Sequence, residues 1–216
     1  MIRCILFGNM CSGKTSVGRF LAAAGSYVVV SAKDAVARNL AGATDEVRAL
    51  RATGHLLPDP VITDWVLGAV AEQVAEGHRV IVDGFPRTES QARALVDRHG
   101  NESRVVFCDF PGPVLERRFS SRLLCQGCDM PSSKAFLDFD GRCLLCGGAA
   151  FAPRPTDRPD YMHVKTRQFE SESMKVLPVL RAAGMKFFTV RDHARQGDLR
   201  VEVVGLEAKL GAASGH

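Results

Sequence analysis

The sequence contains no stretch approaching 18 continuous apolar residues, so no membrane-spanning helix is expected. It has no block of five or six like charges, the tail or stripe in which a nucleic-acid binder concentrates its basic residues. No solenoid-type repeat is present. The seven cysteines are odd in number and cannot all pair, which argues against a disulfide scaffold. The opening apolar run, Ile2 to Phe7, is too short for a secretory signal and lacks a small-residue cleavage site, so it reads as a first strand. What is present is 216 residues, 46% hydrophobic and 24% charged, enough for a buried core plus a small inserted subdomain. A net charge of +4 suits a protein that holds small polyanions. Four cysteines fall in two Cys-x-x-Cys pairs, which points to metal binding in a reducing, cytoplasmic compartment.

Five β-rich runs recur between helix-length stretches: Arg3–Phe7, Tyr27–Ser31, Arg79–Asp83, Arg104–Phe110 and Met185–Arg191. Several, such as Val28-Val29-Val30 and Val80-Ile81-Val82, are apolar without alternation, the pattern of strands covered on both faces. Between them, Pro60–Gly77 carries Val61, Trp65, Val66, Ala69, Val70 and Val74 at helical spacing. Alternating β and α segments predict an α/β fold, a parallel five-stranded sheet flanked by helices, with ligands at the carboxyl ends of the strands. Residues 211–216 read as a disordered tail.

Gly8-Asn9-Met10-Cys11-Ser12-Gly13-Lys14-Thr15 matches Gly-x4-Gly-Lys-[Ser/Thr] between a strand and a helix pattern. The glycines let the backbone curl so that several N–H groups face one anion, and the following helix adds its positive N-terminus. Gly8, Cys11, Ser12, Gly13, Lys14, Thr15 and Ser16 are therefore expected to hold ATP, with Lys14 on the β- and γ-phosphates and Thr15 on Mg²⁺. Asp83, at the end of the third strand, is the acidic partner expected near Mg²⁺. Arg87 is placed to fork onto a phosphate, and Gln91 offers the donor and acceptor needed to read a base edge.

Asp83-Gly84-Phe85-Pro86-Arg87-Thr88 followed by Gln91 resembles the signature of the adenylate kinase family of nucleoside monophosphate kinases, and Gly54-His55-Leu56-Leu57-Pro58-Asp59 resembles its stretch at the monophosphate site. The likeness runs from Ile2 to about Leu210. It implies a P-loop NTP-hydrolase-type core (1–31, 79–122, 160–216), a helical acceptor-binding insertion (32–78) and a lid (123–159). It also implies ATP and a nucleoside monophosphate, AMP first, as partners, with Asp34, Arg38, Leu57, Gly84, Arg87 and Gln91 on the acceptor. A monomer is expected.

From Leu123 to Pro159 helical periodicity gives way to Gly, Pro, Cys and Asp. Cys125-x-x-Cys128 and Cys143-x-x-Cys146 stand 14 residues apart, and four thiolates suit a structural, tetrahedral Zn²⁺ with no open position. In the resembling family this segment is a mobile lid that brings arginines over ATP and excludes water. The resemblance puts Arg118 on adenine, Arg122 and Arg154 on phosphate, and either Lys165 or Arg167 as the charge returning from beyond the lid.

Transfer of a phosphoryl group needs positioned positive charge rather than covalent chemistry, and Lys14, Arg87, Arg122, Arg154, Arg167 and Mg²⁺ are the expected set. A monophosphate acceptor is already a dianion near neutral pH, so no general base is required. The segment Ala32–Arg38 departs from the family's Thr-Gly-Asp-x-x-Arg, with Arg38 one place late, and the phosphate loop lacks the glycine between Lys14 and Thr15. Two other readings therefore stay open: a kinase of a hydroxyl-bearing metabolite with Asp34 as base, and a non-catalytic ATP-binding regulator with a zinc module.

Overall fold

The computed structural model describes residues 1–25, 27–154, 157–191 and 193–211. Five strands, β1 (Ile2–Gly8), β2 (Tyr27–Ser31), β3 (Arg79–Asp83), β4 (Arg104–Asp109) and β8 (Lys186–Arg191), form one parallel sheet in the order β2-β3-β1-β4-β8. These are the five runs predicted above, and their unbroken apolar character follows from helices on both faces. Along β1 the side chains alternate between two apolar layers. Ile5 and Phe7 pack with Val66, Val82, Leu95 and Leu180, whereas Leu6 packs with Val17, Leu21, Ile81, Leu199 and Val203. Helices α4 (Asp59–Ala75), α5 (Glu89–His99) and α8 (Val176–Ala182) cover the first face; α1 (Lys14–Ala24) and α9 (Gln196–Gly211) cover the second. Residues 212–216 of the expected tail lie outside the described residues.

Local chemistry fixes the boundaries that matter for the site. Helix α2 (Ala32–Asn39) starts where the Ser31 hydroxyl accepts from the Asp34 N–H. After a 3₁₀ turn (Leu40–Gly42), α3 (Asp45–Thr53) is capped by Thr44 and stopped by Gly54 at φ 82°. Thr88 caps α5 by accepting from the Gln91 N–H. Helix α4 ends two residues before Gly77, whose φ of 83° closes the turn with His78 N bonded to Gln73 O.

The stretch without helical periodicity follows α6 (Gly112–Ser120). It folds as a small antiparallel sheet, β5 (Arg122–Cys125) between β6 (Pro131–Ser133) and β7 (Phe151–Ala152), before α7 (Pro159–Ser171) returns to the larger sheet. Cys125, Met130 and Cys143 belong to the same apolar layer as Phe20, Leu115 and Leu199. The carboxylate of Asp138 accepts from Gln196 N at 2.8 Å and Gly197 N at 2.7 Å, capping α9 from a distant part of the chain. Gln196 is buried and bonds to Ser132 Oγ at 3.0 Å and Pro131 O at 2.9 Å, while Leu137 N donates to Ala194 O at 2.9 Å.

Gly8 ends β1 at φ 148°, where a Cβ would lie 2.5 Å from the Cys108 carbonyl oxygen of β4. Gly8→Ala therefore meets both an unfavourable backbone conformation and a clash with another main chain. The expected cost is about 2–4 kcal/mol, read as a lower guanidinium midpoint with an unchanged slope; an unaltered midpoint would refute the close approach.

Candidate active site

The loop after β1 curls through Gly8, Cys11 (φ 62°) and Gly13 (φ 91°). Lys14 bends back over it, its Nζ bonding Asn9 O at 2.5 Å and Ser12 Oγ at 3.3 Å. Ser12 and Ser16 are buried beneath the loop. Because β3 pairs with β1 so that Asp83 lies opposite Leu6, the Thr15 hydroxyl reaches the Asp83 carboxylate at 2.8 Å. A hydroxyl and a carboxylate side by side beneath a phosphate loop are the hard oxygen donors that magnesium prefers. Burial pulls the Lys14 ammonium below its ordinary pKa, with Asp83 opposing.

Past the end of β3, Gly84 (φ 78°) lets Arg87 fold across it: Arg87 Nε donates to Gly84 O at 2.8 Å, and a Cβ on residue 84 would stand 3.2 Å from Arg87 Nη2. Lys14 and Arg87, from two different strand ends, line one cavity of about 250 Å³. Leu57 and Gly84 line it too. Gln91 is at its edge, but both ends of its amide are already engaged. Its Oε1 accepts from Arg87 N at 2.7 Å, and its Nε2 donates to Asp59 Oδ1 at 2.7 Å. Thr88 Oγ1 holds the other Asp59 oxygen at 2.7 Å. Gln91 thus buttresses the Arg87 main chain instead of presenting a base-reading edge.

Four sequence expectations are corrected by helix phase or by packing. Since α2 starts at Ala32, the residues turned to the cavity are Ala32, Lys33 and Val36. Asp34 and Arg38, two and six residues on from Ala32 at about 100° each, fall on the outer face. Asp34 is exposed and bonds Ser31 Oγ at 2.7 Å; Arg38 is exposed and pairs with Glu72 at 3.3 Å. On α7 the inward residues are Tyr161, Lys165, Gln168 and Phe169, so Lys165 lines the cavity and Arg167 points to solvent. Arg118 is buried against the Phe110 and Phe136 rings, 4.3 and 4.9 Å from their centroids, and donates to His193 O at 2.7 Å. It is absent from the cavity wall.

Arg122 and Arg154 do reach the cavity. Arg122 forms a two-pronged ion pair with Asp157, one bond being 2.6 Å, with both side chains largely but not fully buried, and its Nη1 lies 3.3 Å from Cys11 Sγ. The other cations are unlike it. Among the described residues, Lys14, Arg51, Arg87, Arg154 and Lys165 form no ion pair with a carboxylate, and Asp83 is the one acidic residue of the cavity wall. Burial, with Arg87 and Arg51 adding repulsion, brings the Lys165 ammonium down to about 7. Burial likewise lowers Arg87 and Arg154.

Arg51, His55, Tyr161 and Gln168 are wall residues that sequence reasoning did not single out. They come from α3, its C-terminal turn and α7, which meet at Gly54: a Cβ there would lie 2.7 Å from the Tyr161 ring. The Gln168 amide, oriented to donate to Gly54 O at 3.2 Å and accept from Leu56 N at 3.0 Å, seals the same contact. The glycine of the Gly54–Asp59 stretch was the available signal, since a buried glycine at positive φ marks a close approach.

Away from the cavity, the sulfurs of Cys125, Cys128, Cys143 and Cys146 lie within 4.8 Å of one another, with Cys125–Cys146 at 3.5 Å and Cys128–Cys143 at 3.6 Å. A disulfide needs about 2.05 Å, whereas tetrahedral thiolates bonded at about 2.3 Å to one ion are separated by roughly 3.8 Å. The Leu145 N–H faces Cys143 Sγ at 3.4 Å, and Gly147 (φ 74°) provides the tight turn after Cys146. The geometry fits a four-sulfur metal site.

Residues 4–132 match the AAA domain family. The chain is 30% identical to the adenylate kinase of Dehalococcoides mccartyi strain CBDB1, over 65% of this chain and 66% of that protein. It is 26% identical to the adenylate kinase of Rhizorhabdus wittichii, over 84% and 88%, and 26% identical to that of Zymomonas mobilis, over 96% of each. With one family matched across more than half of its residues and these relatives aligned along most of the remainder, the chain belongs to the AAA domain family, as a divergent adenylate kinase-like phosphotransferase.

Proposed function

We propose that the chain is a nucleoside monophosphate kinase that transfers the γ-phosphoryl group of ATP to a nucleoside monophosphate, with AMP the first acceptor. The observation that carries this reading is the pair Lys14 and Arg87: both face one cavity from different strand ends, and neither has a carboxylate partner among the described residues. Unpaired, largely buried cations are costly, and two phosphate-bearing substrates would relieve them. In the reading, the loop from Gly8 to Thr15 holds the ATP phosphates, and Arg87 holds the acceptor. An acceptor phosphate oxygen attacks the γ-phosphorus as the bond to the β-bridging oxygen breaks, giving two diphosphates. Lys14 and Arg154 steady the charge spread over the moving group; Arg122, already paired with Asp157, contributes position more than net charge. Thr15 and Asp83 would hold Mg²⁺, which when bound supplies further charge neutralisation. Segments 32–78 and 123–159 serve as acceptor insertion and cover, in a monomer. A reducing cytoplasm would keep the four cysteines as thiolates around Zn²⁺.

The hydroxyl-acceptor reading loses its base, since Asp34 faces solvent. Coupled assays with Mg-ATP against AMP, CMP, UMP, GMP and their deoxy forms should yield diphosphate from at least one of them. Lys14→Ala should lower kcat roughly 10²–10³-fold. Diphosphate from none of these acceptors would overturn the proposal.

Lys165 gives the reaction a pH signature. It holds its proton only below about 7, against an ordinary value of 10.5, because burial disfavours the ammonium and Arg87 and Arg51 add repulsion. The unfolded chain then binds the extra proton between those values, so stability rises with pH across that window and the cost of the buried charge is fully present below it. An acceptor dianion restores the proton. Acceptor kcat/KM should therefore climb as the phosphate ionises near about 6 and fall above about 7. Lys165→Arg, which keeps its charge, should abolish the alkaline fall; an unchanged alkaline limb in that variant would exclude Lys165 as its source.

The metal reading is tested separately. The purified chain should carry one tightly bound zinc, and chelation or Cys125→Ser should lower the melting temperature by roughly 10 °C or more. Absence of tightly bound metal together with indifference to chelator would refute it.

A further inference from the structure

The outward turn of Asp34 and Arg38 leaves the acceptor end of the cavity without the cation expected from α2, apart from exposed Lys33. Charge enters that end from elsewhere. Arg51 projects from the last turn of α3, and its Nη1 lies 3.4 Å from the Tyr161 hydroxyl. The Tyr161 ring rests on Gly54, and Lys165 Nζ stands 5.5 Å from its centroid. Arg51 thus meets the hydroxyl edge of the Tyr161 ring and Lys165 lies over the ring, while Arg87 approaches from the end of β3. Three elements bring three cations to one hollow.

We infer that Arg51 is an acceptor-binding residue that grips, together with Arg87 and Lys165, the phosphomonoester dianion of the acceptor. This rests on the nucleoside monophosphate reading and names the groups that hold its phosphate. A phosphomonoester supplies two negative charges and three acceptor oxygens, the complement of two planar guanidiniums and an ammonium. Mutual repulsion supports the convergence: Arg51 lowers the pKa of Arg87, Arg154 and Lys165, with burial the larger cause in each. No carboxylate among the described residues pairs with Arg51, so its charge is available to a ligand. The Tyr161 hydroxyl directs the guanidinium without neutralising it.

Arg51→Gln should raise KM for the accepted monophosphate roughly 10- to 100-fold, with KM for ATP within about twofold and kcat less affected than KM, the mark of lost ground-state binding. Arg51→Lys should recover part of that loss. Tyr161→Phe, which removes the hydroxyl but keeps the plate, should raise KM less than Arg51→Gln does. An unchanged acceptor KM in Arg51→Gln overturns the inference. So does a Tyr161→Phe defect equal to that of Arg51→Gln, because Arg51 would then be a strut for the ring. Calorimetric titration with inorganic phosphate separates this inference from the kinase reading. Phosphate binding by the wild type that weakens in Arg51→Gln supports the grip even if no monophosphate is turned over. Binding equal in both proteins, or absent from the wild type, overturns it whatever the assay shows. Should Arg51→Gln fail to fold, the same comparisons with Arg51→Lys decide the matter.

Discussion

Repulsion among cations that share one hollow is the constraint on which the rest of this structure depends. Lys14, Arg51, Arg87, Arg154 and Lys165 face the cavity without carboxylate partners among the described residues, and a fold left to maximise its own stability would separate or pair them. They stay because their main chains are fixed by stronger local demands. Lys14 sits at the start of α1, bent over by bonds to Asn9 and Ser12. Arg87 is pinned by Gly84 on one side and by the Asp59–Gln91–Thr88 network on the other. Lys165 is carried inward by the phase of α7. The scaffold absorbs the strain, and the cavity keeps the charge.

How far this was legible in the sequence follows from how local each determinant is. The five strands are continuous apolar runs, and the phosphate loop is eight consecutive residues, so both could be read directly. Asp83 and Arg87 were equally legible, since both follow from the position at which β3 ends. Asp34 and Arg38 misled because one residue of helix phase decides between cavity and solvent, and the Ser31 cap that sets the phase of α2 is visible only once the backbone is built. The choice between Lys165 and Arg167 has the same origin in α7. Arg51 was out of reach for another reason. The Gly54–Asp59 stretch begins three residues after it but does not include it, and its neighbours Tyr161 and Lys165 lie more than a hundred residues away, joined to it through Gly54. Gln91 carried the right motif but spends its amide on Asp59 and the Arg87 main chain.

The cysteine-bearing sheet is integrated with the core to an extent its composition did not announce. Cys125, Met130 and Cys143 share an apolar layer with α1, α6 and α9, and Leu199 of that layer sits 3.4 Å from where a Cβ on Gly13 of the phosphate loop would be. Arg118 joins the two regions from the other side, stacked on Phe110 near the end of β4 and on Phe136 from the inserted segment.

The twofold cap that Asp138 places on α9 has an energetic corollary. Swinging the inserted sheet away would strip two N–H groups from that carboxylate, uncouple Gln196 from Ser132 and Pro131, and part Leu137 from Ala194. Departure of the inserted segment would therefore carry the cost of uncapping that helix end. The inserted segment and the first turn of α9 share one set of bonds, and loosening either exposes the same two N–H groups.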